Sequence, residues 1–292
     1  MTIVQNDLRP SPPRCHYCRL RPAGSREHLP GVAALNDAPV EITYLRVPHA
    51  GAALERARRV EDYGLVVRTI CRHCNERTGG NYGTAFKEFA LQFASSGVLD
   101  AGQRRCWVSL QDIQPLRVLK QMAAMFLAVQ PTMPPPVYDP IRDFVLTQGR
   151  KLPPDLLRVF LYRNVSHTGR IVPVTGLGFL RAPPESVSLV CSEISWPPLG
   201  LVFARHWHPH LAAMPEITHW GQRFHFRQRA SLGFSVPQLR VETTDPLGFG
   251  SPEEVDRWSS THHVAVVMNT QPGEDIALGI SALVRQQRRP PR

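Results

Sequence analysis

Four of the six cysteines fall into two CxxC pairs, Cys15–Cys18 and Cys71–Cys74. Nothing else in the chain constrains its fold as tightly. Thiolates at i and i+3 can reach one ion from a tight turn, and two such turns supply the four ligands of a closed tetrahedral Zn²⁺ site. The N-terminal stretch MTIVQNDLRPSPPR lacks the apolar core of a signal peptide, so a cytoplasmic location is expected. In that setting paired CxxC reads as metal before disulfide. A four-thiolate set leaves no open coordination position, which assigns the zinc to folding rather than to chemistry. Fifty-two residues lie between Cys18 and Cys71, more than in a usual zinc ribbon. The metal is therefore expected to staple together the ends of an inserted loop. Cys106 and Cys191 stand alone.

A chain of 292 residues has room for one large domain or two ordinary ones. With 42% hydrophobic and 20% charged residues it has globular rather than disordered composition. Its longest apolar run, Met122–Val129, is too short to span a bilayer, so no membrane partner is expected. The net charge of +10 suits a polyanionic partner, nucleic acid first. Only Lys87, Lys120 and Lys151 are lysines, however, and an arginine bias of that kind also follows from genomic base composition.

The expected class is α+β: an N-terminal ββα-metal zinc-knot domain over residues 1–100, a helical connector over 101–150, a β-rich domain over 151–284 and a basic tail over 285–292. Residues 1–14 read as a loose arm. Residues 31–64 read as an insertion with one short helix, roughly Gly51–Glu61. Gly64–Ile70 is a β-branched run that leads straight into CRHCN and reads as a strand. Tyr82–Ser95 reads as a helix. The clearest amphipathic helix covers 112–130, with Leu116, Leu119, Met122, Ala123 and Phe126 at helical spacing, and Asp139–Gln148 as its partner. After residue 150, short β-branched and aromatic runs separated by Gly and Pro predict a mostly antiparallel β-rich region.

The chemistry-bearing residues sit inside and just beyond the knot. Glu27 offers a carboxylate oxygen and Asn75 an amide oxygen, both suited to a hard divalent cation such as Mg²⁺. His28 can take a proton near neutral pH. Neighbours on a strand point to opposite faces, so Glu27 and His28 can address one ion jointly only at a strand end or bulge. A metal beside a general-base histidine is the minimum set for phosphodiester hydrolysis.

The order Cys15-His16-Tyr17-Cys18, then Glu27-His28-Leu29-Pro30, then Cys71-Arg72-His73-Cys74-Asn75 with Gly79 behind resembles the HNH (His-Me finger, ββα-metal) endonucleases. It is most similar to those with a four-cysteine zinc knot, and the likeness covers roughly residues 13–95. The resemblance implies His28 as general base, Glu27 and Asn75 as ligands of a catalytic Mg²⁺ or Mn²⁺, and the four cysteines as ligands of a structural Zn²⁺. Many members of that family carry an asparagine or histidine shortly before the second CxxC that braces the base. The stretch GLVVRTI offers none, and glutamate replaces the commoner aspartate.

Other residues admit two readings each. His16 and His73 are solvent-facing turn residues or further ligands. Asn81 is a third metal ligand or a polar loop residue. Arg72, Arg77 and Lys87 meet phosphates or line a solvated helix face. His206, His208 and His210 form a second metal site or end a strand. Tyr162, Trp196, Trp207 and Trp220 stack on bases or fill a core. The expected activity is a divalent-metal-dependent endonuclease cutting DNA. The alternative is a non-catalytic zinc-stapled module that binds nucleic acid or protein. A third possibility is a nuclease silent until the β-rich region senses a signal.

Overall fold

The computed structural model describes residues 14–32, 36–46, 55–96, 104–130, 135–153, 155–166, 168–177, 189–241 and 264–270. Most of the N-terminal arm and all of the basic tail lie outside them. The class is α+β, with five α-helices and eleven strands among these residues.

The N-terminal unit is a two-stranded antiparallel hairpin of β1 (Ser25–His28) and β4 (Val66–Ile70). Ile70 leads through Cys71 into helix α1 (Arg72–Thr78). The chain then passes through a π-helical turn, Gly79–Gly83, into helix α2 (Thr84–Ser95) without leaving the helical path. That turn buries Tyr82, whose hydroxyl donates to the Val145 carbonyl at 2.5 Å. The apolar residues Phe86, Phe89, Ala90 and Phe93 recur at three- and four-residue spacing and are all buried. Arg163 closes the far end of α2 by donating to the carbonyls of Phe93, Ala94 and Ser96, which no longer have partners within the helix.

Between β1 and β4 the chain leaves this unit to form strands β2 (Val40–Arg46) and β3 (Glu55–Glu61). The expected helix over Gly51–Glu61 is thus corrected: residues 55–61 are a strand, and 51–54 lie outside the described residues. A seven-pair ladder with β2, from Val40↔Glu61 to Arg46↔Glu55, supplies the hydrogen bonds. Backbone pairing outweighs the weak helix preference of an Arg- and Ala-rich segment.

These two strands form one edge of a nine-stranded sheet in the order β3-β2-β11-β7-β8-β9-β6-β10-β5. Its other members are β5 (Arg105–Ile113), β6 (Arg158–Asn164), β7 (Thr168–Leu177), β8 (Leu189–Trp196), β9 (Leu199–Ala204), β10 (Ala230–Leu239) and β11 (Val264–Thr270). Every neighbouring pair is antiparallel except β6–β10. The short runs after residue 150 supply strands β6 to β11, as their composition predicts, except that 223–229 of the run 223–236 end a short helix and turn before the strand begins at Ala230. Strand β5 was not foreseen; it opens the segment read as helical.

Helix α3 (Pro115–Val129) lies where 112–130 is periodic, and helix α4 (Pro135–Leu146) packs against it. Yet α3 is not a surface helix. Pro115, Leu116 and every residue from Val118 to Ala128 are buried, because α2, α4, the short helix α5 (Trp220–Arg223) and β4 surround it. Burial pushes the pKa of Lys120 down to about 7. Its three N–H donors meet the carbonyls of Phe144, Thr147 and Arg150, closing the end of α4. One contiguous core joins Cys15 and Phe89 to Leu119, Phe126, Trp220 and Val236. A smaller cluster with Phe160, Tyr162, Val202 and Ala204 occupies the opposite sheet face. Strands β6 and β9 are buried on both faces, so they read as continuous apolar runs instead of alternating ones.

Candidate metal centre and catalytic site

The two CxxC segments meet. Cys15–Cys18 forms a tight turn closed by Arg19 N–H to Cys15 O at 2.8 Å, and Arg19 has φ +56°. Cys71 precedes α1 and Cys74 lies in its first turn. All four Sγ atoms lie within 4.8 Å of one another, with Cys18 and Cys71 at 3.9 Å. A tetrahedron with Zn–S bonds of about 2.3 Å has S···S edges of about 3.8 Å, whereas a disulfide requires about 2.05 Å. The cluster could therefore hold a metal ion such as zinc, and all four thiols are free. A hydrogen bond from Cys74 pulls the Cys15 thiol down to about 4, and the same contact pushes Cys74 up. Burial raises Cys71. Cys15 and Cys74 share a proton in this way, and a bound cation would displace it.

The first turn is bolted to the helices. His16 Nδ1 lies 3.0 Å from Ala128 O on α3, the Tyr138 hydroxyl of α4 donates to Tyr17 O at 3.1 Å, and the Arg19 guanidinium covers the Tyr138 ring at 3.4 Å. His16 thus anchors the knot to α3, while His73 is exposed.

Strand β1 carries Glu27 and His28 at its C-terminal end. The register passes from Ser25↔Ile70 to Glu27↔Val67 and His28↔Val66, so a bulge lies in this stretch. Of the two conditions under which adjacent residues can address one ion, the strand end is present, since Glu27 and His28 are the last two residues of β1; the extra residue of the bulge lies on β4, at Arg68 and Thr69. Glu27 is buried, and among the described residues no cation or hydrogen-bond donor answers its carboxyl. Burial raises its pKa to about 7. A carboxyl in that state gains from a bound cation. His28 is half-buried, its pKa lowered by burial and by the nearby Arg26 charge, with the Asn36 backbone pulling the other way. Its Nδ1 is buried without a hydrogen bond of good geometry.

Asn75, from α1, reaches across to β1. Its Nδ2 donates to Ser25 Oγ at 2.9 Å and to Arg26 O at 2.8 Å. A backbone carbonyl only accepts, so this contact decides which amide atom is nitrogen. The amide oxygen is left with no donor among the described residues. Ser25 shares a strand face with Glu27, so Asn75 arrives on the Glu27 side of β1.

Asn36 is the residue that sequence reasoning missed. It is fully buried, donates from Nδ2 to Pro30 O at 2.7 Å and Leu65 O at 3.0 Å, and accepts from Leu65 N–H at 2.7 Å. It therefore ties the segment after His28 to the start of β4, the bracing that GLVVRTI lacks. Gly64 packs onto it with φ +73°; a Cβ there would lie 1.9 Å from Asn36 Oδ1. The detectable signal was an asparagine eight positions after the histidine with a glycine just before β4, and neither is distinctive in a sequence. Asn36→Ala leaves the Pro30 carbonyl and the Leu65 N–H without their partner, while Leu65 O keeps its bond from Leu29 N–H. The substitution is expected to cost about 3 kcal/mol, a fall of about 5 °C in Tm by thermal unfolding.

The remaining candidates lie elsewhere. Asn81 Oδ1 accepts from Gln148 and its carbonyl from Arg117, so Asn81 braces helices instead of the site. Arg72 pairs with Glu76 at 2.6 Å, Arg77 caps α4 at Leu146 O, and Lys87 is exposed on α2. His206 and His208 lie in a bend before the 3-10 turn Pro209–Leu211, not on a strand. Among the described residues the four-cysteine set is the only group of three or more His, Cys, Asp or Glu side chains close enough to share an ion. Tyr162, Trp196 and Trp220 are buried, and Trp207 is exposed. Among the described residues no helix is long and apolar enough to cross a membrane. No family model matches the chain, and neither a curated protein nor a solved structure matches it.

Proposed function

We propose that the chain is a divalent-metal-dependent endonuclease that hydrolyses phosphodiester bonds in DNA. The N-terminal ββα unit cuts, and the β-rich part selects the substrate. A structural zinc in the four-cysteine cluster would fix the hairpin against α1. Glu27 and Asn75 would hold Mg²⁺ or Mn²⁺, which when bound supplies positive charge for the phosphorane and the leaving oxygen. His28 takes a proton from the attacking water. The segment tied down by Asn36 keeps its ring oriented.

One observation carries this reading. The Asn75 amide is fixed through its nitrogen, which leaves its oxygen on the Glu27 side of β1 with no donor among the described residues, near a buried carboxyl that no described cation answers. Two hard oxygen donors without partners among the described residues, beside a partly exposed imidazole, suit a ligand set better than a packing motif.

The test is supercoiled plasmid with Mg²⁺ or Mn²⁺, and with EDTA. Nicking should require the metal. His28→Ala should lower its rate about 10²- to 10⁴-fold, the usual range for general-base loss, while zinc content and Tm stay unchanged. Salt-dependent binding with no metal-dependent turnover would instead identify a non-catalytic zinc-stapled module.

A further inference from the structure

The hairpin has a second face. Alternation places Arg26 and His28 together on β1, and the pair His28↔Val66 places Val66 and Arg68 beside them on β4. The bulge contributes to this: Arg68 and Thr69 together oppose Arg26, where a regular ladder would set one residue. Arg26 and Arg68 are both exposed. Neither has a hydrogen bond or an ion pair through its side chain among the described residues.

Several nearby arginines are answered. Arg14 donates to Leu20 O, Arg72 to Glu76, Arg77 to Leu146 O and Arg117 to Asn81 O. Two like charges facing each other across a strand pair destabilise it when nothing neutralises them. Residues two apart on a strand face lie about 6.6 Å from one another, so both guanidinium groups reach oxyanions next to a phosphate seated at His28.

We propose that the outer face of the β1–β4 hairpin, with Arg26 and Arg68 flanking His28, grips the phosphate backbone of duplex DNA and sets the scissile bond against the imidazole. This rests on the endonuclease reading above. It moves the nonspecific phosphate contacts from Arg72 and Arg77, which are engaged within the protein, to a pair of guanidinium groups that have no partner among the described residues. Arginine suits the task because its planar fork can meet two phosphate oxygens at once.

The experiment measures binding apart from cutting. The full chain is titrated against a fluorescein-labelled 20-base-pair DNA duplex in EDTA, and log K is followed against log[KCl]. Each phosphate contact contributes about 0.9 to the magnitude of the slope, so the Arg26→Gln/Arg68→Gln double variant should lose about 2 from it. The Arg26→Lys/Arg68→Lys variant should keep the slope. The glutamine pair should also lower kcat/KM for plasmid nicking about 10-fold or more, with Tm within about 1 °C of the parent because both positions are exposed.

An unchanged slope in the glutamine variant overturns the proposal, as does a parent protein that shows no salt-dependent DNA binding. Failure of the endonuclease reading looks different: the parent protein binds with the expected slope but never nicks in Mg²⁺ or Mn²⁺. Nicking with an unchanged slope would remove this surface and leave the endonuclease standing.

Discussion

Cys74→Ser is expected to release the metal and unfold the N-terminal unit. Zinc measured by atomic emission should fall from about one per chain to below about 0.1, since three sulfurs cannot close a tetrahedral structural site. The loss in stability should exceed about 5 kcal/mol, or about 8 °C in Tm, because structural zinc sites contribute on the order of 10 kcal/mol to the folds they organise. The effect should be large for a reason specific to this chain. The four sulfurs join segments separated by the whole β2–β3 excursion, and Cys15, Cys71 and Cys74 also belong to the central core. Releasing the metal loosens both the hairpin and the face on which α3 packs. Cys106→Ser is the control, since Cys106 is buried outside the cluster and metal content should not change. A Cys74→Ser protein that retains a full equivalent of zinc would rule out the four-cysteine site.

Arg170→Met is expected to cost about 3–5 kcal/mol, the usual penalty for leaving one partner of a buried ion pair uncompensated. Arg170 Nε lies 2.7 Å from Glu193 Oε2, and its NH2 3.1 Å from Oε1, with both side chains almost fully buried. The Tyr162 hydroxyl donates to the same carboxylate, and burial together with that charge drives the Tyr162 pKa well above its ordinary value. Tyr162 is on β6 and Glu193 on β8, so the ring must cross β9 to make this contact. It does so over Gly200, where a Cβ would lie 2.1 Å from the ring. Denaturant unfolding should show the loss, and the Arg170→Met/Glu193→Leu double variant should recover most of it, because a buried pair replaced by apolar groups is often neutral. A cost below about 1 kcal/mol for Arg170→Met would mean that water reaches the pair.

Much of the local structure was legible. The CxxC spacing named the metal-capable residues, the β-branched run before CRHCN named β4, and helical spacing named α2 and α3. These are short-range signals, carried by residues within one turn or one strand of each other. The excursion over 31–64 was harder. Its strand β3 is held by a ladder with β2, and β2 in turn by β11, more than two hundred residues along the chain. No window on ERARRVE contains that partner.

The candidate site divides in the same way. Glu27, His28 and Asn75 stood out because their residue types and their neighbours in the chain suggest the chemistry. Asn36 did not, since its three hydrogen bonds go to backbone atoms of Pro30 and Leu65 and are seen only once β1 and β4 are paired. The face shared by Arg26 and Arg68 is likewise a product of register, and the bulge that sets it has no signature in SREH or VVRTI. By itself the sequence determined which side chains are able to bind metal and which segments prefer helix or strand, since those properties reside in single residues and their near neighbours. Only the tertiary structure decided which of them face one another, because pairing register and burial depend on contacts between segments far apart in the chain.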